Sequence, residues 1–318
     1  FQALMLSFLS SWRKKVSNRL QLLDYQYLLP FFTYLSIPVG IAYATIRGII
    51  NSIFDLDWRS LSLGKRYVRK ATFQAMQNLL PEEGNLVWMH KTVQRFIVNS
   101  REEWEATYFM RHSMASILHN SSVTGVDALI EAQKQGRGIV ILTPHFDSYC
   151  TGAILMAMQG VTINAMTTEQ IRNPMVHPAI QTYFDKKFSA MEHYFNGGKI
   201  VCYEDNIRYF YQRLKSGDAV LMGADLPAPA QAFIPVPFLG QRRKMAEGPI
   251  RLAEKTGSLI TAYTCYYRSP GKYELCLAPL YEVTSENIKS LYEFLTKHIC
   301  KYPERWWAAD LFSQYKNV

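Results

Sequence analysis

Residues 139–143 read Ile-Val-Ile-Leu-Thr, an unbroken apolar and largely β-branched run that begins just after Gly136-Arg-Gly138. A strand with one wet face alternates apolar and polar residues. A run that does not alternate is covered on both faces, as in parallel sheets. Such a sheet requires helices as crossovers and covers, and the chain supplies them. Apolar spacing is helical over residues 71–83, 104–118 and 126–135. After the first strand come a helix-like segment at 151–159, a strand at 161–166 and a helix at 207–214 stopped by Gly217. A strand at 219–222, a helix at 246–255 ended by Gly257, a strand at 258–267, another at 273–277 and a helix at 285–300 complete the series. The prediction is an α/β body with a mixed, largely parallel sheet flanked by helices. No GxGxxG or P-loop follows any strand, so nucleotide binding lacks its usual signature.

Ahead of this body lies a different kind of sequence. Phe1, Leu4, Met5, Phe8, Leu9 and Trp12 recur at helical spacing, and Arg13, Lys14, Lys15 and Arg19 follow. That pattern suits an interfacial helix on anionic lipid, and equally an amphipathic helix packed on the body. Residues 25–46 then carry no formal charge, a length that could cross a bilayer. Pro30 and Pro38 would break an isolated helix there, and hydroxyl-bearing residues weaken insertion. A single span, a foot dipping into one leaflet and a buried core helix all remain open. A second basic stretch, Lys65, Arg66, Arg69 and Lys70, could also face headgroups. The expected division is a helical, membrane-associated region over 1–60 and a catalytic domain over 61–318.

A formal net charge of +9 makes acidic partners attractive, both nucleic acid and anionic lipid. The basic residues cluster beside apolar segments rather than along a recognition helix, which argues against nucleic acid. The five cysteines, Cys150, Cys202, Cys265, Cys276 and Cys300, form no CxxC pair or zinc spacing. Reduced thiols on the cytoplasmic side are the simple reading, and no metal or redox cofactor is implied.

Chemistry points to the end of the first strand. His145 stands just past residues 139–143 and before a helix, at the edge where open α/β sheets hold ligands. A neutral imidazole there can take a proton from a hydroxyl or amine attacking an acyl carbonyl. Amides at the start of the following helix could hold the oxyanion. A strand-end His taken alone is more often a satisfied structural residue.

The wider pattern resembles a known family. Val123-Thr-Gly-Val-Asp-Ala-Leu-Ile-Glu-Ala, Gly136-Arg-Gly-Ile-Val-Ile-Leu-Thr-Pro-His145 and Arg172-Asn-Pro-Met-Val-His-Pro-Ala-Ile occur in order. Leu214-Lys-Ser-Gly-Asp-Ala-Val, Ala224-Asp225, Phe233-Ile-Pro-Val-Pro-Phe-Leu-Gly, Gly248-Pro-Ile-Arg-Leu-Ala and Tyr302-Pro-Glu-Arg-Trp-Trp follow. Across roughly residues 70–310 this order resembles the late acyltransferases of lipid A biosynthesis, within the lysophospholipid acyltransferase superfamily. The resemblance implies an enzyme at the cytoplasmic face of a bacterial inner membrane. It would move an acyl group from acyl carrier protein or acyl-CoA to a lipid acceptor, with no cofactor.

The family's signature is His, four residues, then a carboxylate. His145 matches the base, but Cys150 stands where the carboxylate belongs. Either another carboxylate (Asp147, Glu169 or Asp225) supplies the charge, or Cys150 is a thiolate nucleophile with His145 as its base, or the chain is an inactive homologue. The resemblance makes Arg172 a phosphate or carboxylate ligand; Asp225 ends the strand at 219–222 and would face the same cleft, or cap a turn or helix. Glu169 joins these as a substrate-binding candidate. Arg243, within the Arg242-Arg243-Lys244 run, is either part of a solvated loop or a dock for an acidic carrier protein or lipid phosphate. The family's C-terminal basic pair is missing and Asp310 stands nearby, which raises an amine acceptor and amide formation. Two further alternatives are aminoacyl transfer to a lipid and a non-catalytic protein that binds lipid or carrier protein. A cleft lined by Phe, Tyr and Met would measure chain length, since each buried methylene contributes about 0.8 kcal/mol.

Overall fold

The computed structural model describes residues 18–62, 66–228 and 232–318. The apolar stripe over residues 1–12 and the first basic residues after it lie outside them. In chain order the main helices begin with α1 (Ile37–Phe54), α2 (Val68–Leu79) and α3 (Asn85–Phe109). The sheet unit follows: β1 (Ser122–Val123), α4 (Val126–Lys134), β2 (Ile139–Thr143), α5 (Tyr149–Met158), β3 (Ile163–Thr167), α6 (Pro178–Tyr194), β4 (Ile200–Cys202), α7 (Tyr203–Lys215) and β5 (Ala219–Gly223). A hairpin of β6 (Phe233–Phe238) and β7 (Gln241–Ala246) precedes α8 (Gly248–Thr256), β8 (Leu259–Ser269), β9 (Lys272–Leu277) and α9 (Ser285–Lys301).

The expected α/β architecture is present. One seven-stranded sheet runs β1-β9-β8-β2-β5-β3-β4, and only the β8–β9 pair is antiparallel. All five residues of β2 are buried, as its lack of alternation demands. Ile139 and Ile141 enter the core beneath α4, α5 and α6, whereas Val140 and Leu142 enter the core beneath α7, α8 and α9. The side-chain period of two thus feeds two separate cores from one strand.

Three expectations change. The helix expected over 104–118 is really the end of the 25-residue α3, then a turn, then a short helix at Ala115–His119. Its apolar periodicity misleads because α3 buries Arg95, Arg101, Glu102, Glu103 and Glu105. Each charge has a buried or half-buried counter-charge on another element, except Glu105, which meets Arg101 on α3 itself. The Arg242-Arg243-Lys244 run is no loop: it lies in β7, paired with β6. Strand alternation turns Arg243 inward, where its Nε donates to the Phe238 carbonyl at 3.1 Å and its Nη1 to the Tyr315 carbonyl at 3.3 Å.

The uncharged stretch 25–46 is not one helix either. A π-helical turn (Asp24–Leu28) runs into a short α-helix (Leu29–Phe32), the chain breaks, and α1 starts afresh with Pro38 in its first turn. That rules out residues 25–46 as a single continuous span. The apolar helix is α1, 18 residues long, about 27 Å. One of its faces is closed against α3. A Cβ on Gly48 would stand 2.4 Å from the Ile97 backbone and one on Gly40 would overlap the Trp104 ring, so only glycine permits this approach. Arg47 points into the same interface and pairs with Asp24 (Nε to Oδ1, 2.9 Å) and Glu103 (Nη1 to Oε2, 2.6 Å). The other face leaves Val39, Ile46, Ile49, Ile50, Ile53 and Phe54 exposed. The expected division at residue 60 falls inside the helix Trp58–Ser62, where Arg59 pairs with Asp310 near the C-terminus (Nη1 to Oδ2, 2.9 Å).

Candidate active site

Strand register builds the site. In the parallel pair β2–β5, Thr143 lies opposite Gly223. The chain leaves both strands together, so residues two positions further on emerge side by side, at the carboxyl edge where such sheets bind ligands. Those residues are His145 and Asp225. The His145 Nδ1 lies 2.8 Å from one Asp225 oxygen, and the His145 backbone N–H donates to the other, also at 2.8 Å. The Trp306 indole N–H donates to that second oxygen at 2.8 Å, and the Tyr315 hydroxyl donates to the Asp225 carbonyl at 2.6 Å. Asp225 itself is wholly buried. A carboxylate with this many donors aims the imidazole through one defined nitrogen.

Electrostatics follow from that geometry. Burial alone would pull the His145 pKa down, but the charge and hydrogen bond of Asp225 outweigh it and hold the pKa above the ordinary imidazole value. Burial works against the Asp225 anion too, yet His145 and Trp306 keep its pKa below the usual carboxylate value. The His145 side chain is 26% exposed, and Nε2 has no hydrogen-bond partner among the described residues. With Nδ1–H turned to Asp225, the neutral ring presents its lone pair on Nε2. Tyr149 and Trp307 flank the imidazole, each with ring centroids 5.2 Å away.

The remaining candidates are spread more widely. Asp147, two residues from His145, adopts φ 52° and turns away from it. One of its oxygens accepts from Arg101; the other accepts from Arg305 at 2.6 Å and from the Tyr267 N–H at 3.1 Å. Cys150 is 5% exposed in the first turn of α5. Burial pushes its thiol pKa well up, and Glu102 adds to that against the opposing pull of Lys187. Lys187 donates to Glu102 at 2.6 Å, so a buried ion pair stands beside the thiol. Glu169 and Arg172 occupy a 3₁₀ turn after β3, and Arg172 pairs with Asp205 at 2.8 Å while 63% exposed. Ligand atoms of Glu169, Cys202 and Asp205 lie within 4.8 Å of one another, but Asp205 is already engaged by Arg172. Neither Glu169 nor Arg172 bonds to His145 or Asp225. Asp310, the acidic residue suggested as favouring an amine, is fully engaged with Arg59 and, more loosely, Arg95.

Sequence reasoning missed the roles of Trp306, Tyr149 and Lys187. The Trp306-Trp307 pair was legible as a motif, but only the fold brings residue 306 to residue 225.

A family model described as bacterial lipid A biosynthesis acyltransferase matches residues 80–313, nearly three quarters of the sequence. The chain belongs to that family. Both His145 and Asp225 fall inside the matched stretch, as does the whole sheet. A lipid A biosynthesis acyltransferase of Haemophilus influenzae is 21% identical over 202 residues, which is 62% of this chain. The aligned segment spans 60% of that relative's length.

Proposed function

We propose that this family member transfers a fatty acyl group from a carrier-protein thioester to a hydroxyl of a lipid A-type acceptor, with His145 as general base. The carrying observation is the His145–Asp225 pair: a buried, three-donor carboxylate aiming an imidazole whose second nitrogen has no partner among the described residues. The acceptor hydroxyl gives its proton to Nε2, its oxygen attacks the thioester carbonyl, the carbon–sulfur bond breaks, and the proton leaves with the thiolate. Amides at the start of α5 would stabilise the intermediate oxyanion.

Asp225 takes the orienting role that the resemblance gives to the residue at position 150. Cys150 is read as a buried neighbour of the Glu102–Lys187 pair rather than as an acyl carrier, because the thiolate that attack requires is disfavoured there. A hydroxyl is preferred over an amine because Asp310 is neutralised by arginines and offers no free charge to an ammonium group. The exposed apolar face of α1 and the net charge of +9 suit docking on the cytoplasmic leaflet of an inner membrane.

Acylated carrier protein and a lipid A precursor, incubated with purified full-length protein, test this reading. The expected product is an ester, and His145→Ala should lower its rate by about 10²–10⁴. An acyl-enzyme mass on Cys150 during turnover, or undiminished transfer by the His145 variant, would overturn it.

A further inference from the structure

A cavity of about 660 Å³ opens between the Asp24–Phe32 segment, the end of α3 and the exposed side of α6. Its walls carry two cations, Arg111 and Lys186, together with the hydroxyl-bearing Thr107, Thr182 and Ser189. Among the described residues no carboxylate lines it. Among the described residues Lys186 forms no ion pair, and Arg111 bonds only to the uncharged Tyr34 hydroxyl, over whose ring it lies. Lys187, the residue after Lys186 on α6, has its acid in Glu102, whereas the two cations facing this cavity meet no acid among the described residues, which marks a place for an anion.

The surroundings say what kind of anion. Tyr27, on the rim, is 60% exposed, and Leu28, Phe31, Tyr34 and Leu35 extend the exposed apolar surface outward from it. A charged pocket continuous with an apolar strip matches a molecule with a charged head and hydrocarbon tails. The cavity is separate from His145: Lys187, the next residue on α6, faces Tyr149 and Glu102, while Lys186 faces the groove. Tyr183 forms the partition, its hydroxyl donating to the Glu103 carbonyl at 3.1 Å.

We propose that this groove binds the phosphate-bearing headgroup of an anionic phospholipid, anchoring the protein on the membrane independently of the reacting acceptor. The phosphate would sit between Arg111 and Lys186, with the hydroxyls as further donors.

Full-length protein, co-floated with phosphatidylcholine vesicles containing or lacking phosphatidylglycerol, provides the test. Lys186→Glu should weaken binding to the phosphatidylglycerol vesicles about thirtyfold, because it removes one positive charge and adds one negative charge beside an anionic surface. Binding to pure phosphatidylcholine, which the apolar strip alone supports, should not change. Lys289→Glu, on α9 at the opposite side of the sheet, is the control for bulk charge. Soluble glycerophosphoglycerol should compete with wild-type binding better than inorganic phosphate. An equal loss with Lys289→Glu, no loss with Lys186→Glu, or equal competition by inorganic phosphate would each overturn the proposal. Transfer in detergent should be the same for Lys186→Glu as for wild type, so failure of this anchor and failure of the acyl-transfer reading are separable.

Discussion

Two buried aspartates stand two residues past, or four residues past, the ends of neighbouring strands, and they do opposite things. Asp225 gives its charge to His145, a group that titrates and reaches solvent. Asp147 gives its charge to the guanidinium groups of Arg101 and Arg305 and to a backbone amide. The first arrangement can move a proton; the second can only hold a loop. Burial and perfect pairing are therefore no mark of chemistry by themselves. What separates the two is the titratability of the partner and its access to the cleft.

Asp225→Asn attacks the first arrangement and should give the largest effect, a loss of about 10²–10⁴ in transfer rate, with little change in acceptor binding. It should also displace the pH profile. The base works when neutral, so wild-type activity should rise as pH climbs through the elevated His145 pKa. Without the carboxylate's charge that inflection should move to lower pH, because burial then dominates. An unmoved inflection would mean that Asp225 does not tune the base. Stability carries the matching signature. The raised His145 pKa favours folding at pH values below the ordinary imidazole value, a benefit lost as pH rises past the folded value. The lowered Asp225 pKa favours folding above the ordinary carboxylate range, a benefit lost on acidification.

Asp147→Asn should act on folding instead, lowering unfolding free energy by about 3 kcal/mol in denaturant titrations because two arginines lose their counter-charge. Well-folded variant protein should keep most of its per-molecule activity; a selective loss of turnover with unchanged stability would collapse the distinction between the two aspartates. Smallest of all should be Cys150→Ser, expected within about threefold of wild type, since a thiol held protonated contributes packing rather than attack. Inactivity of that variant, coupled with acyl mass at Cys150 in wild type, would restore the nucleophile.

Much of the body was readable from local pattern. The β2 run, the glycine stops before β5 and after α8, and the helix at 285–301 announce themselves because apolar periodicity and turn residues act over a few positions. Helix α3 was read only at its end, from residue 104, because its buried charges break the apolar stripe and are tolerated only by partners as distant as Asp147 and Lys187. The β6–β7 hairpin was hidden by three basic residues in a row. Their alternation between surface and core is visible only once the partner strand is in place.

The site divides along the same line. A histidine immediately past a doubly covered strand is a local fact, and so is the absence of a carboxylate five residues later. Which acid replaces it is not local: Asp225, just past the strand at 219–222, is expected at the same cleft, but the sequence leaves Asp147 and Glu169 as candidates beside it. Parallel pairing of β2 with β5 brings Asp225 against the imidazole, while Asp147, at φ 52°, meets Arg101, Arg305 and the Tyr267 amide instead. Sequence specified the strands and singled out the histidine; the sheet's register, formed by hydrogen bonds between segments 80 residues apart, decided that histidine's carboxylate partner.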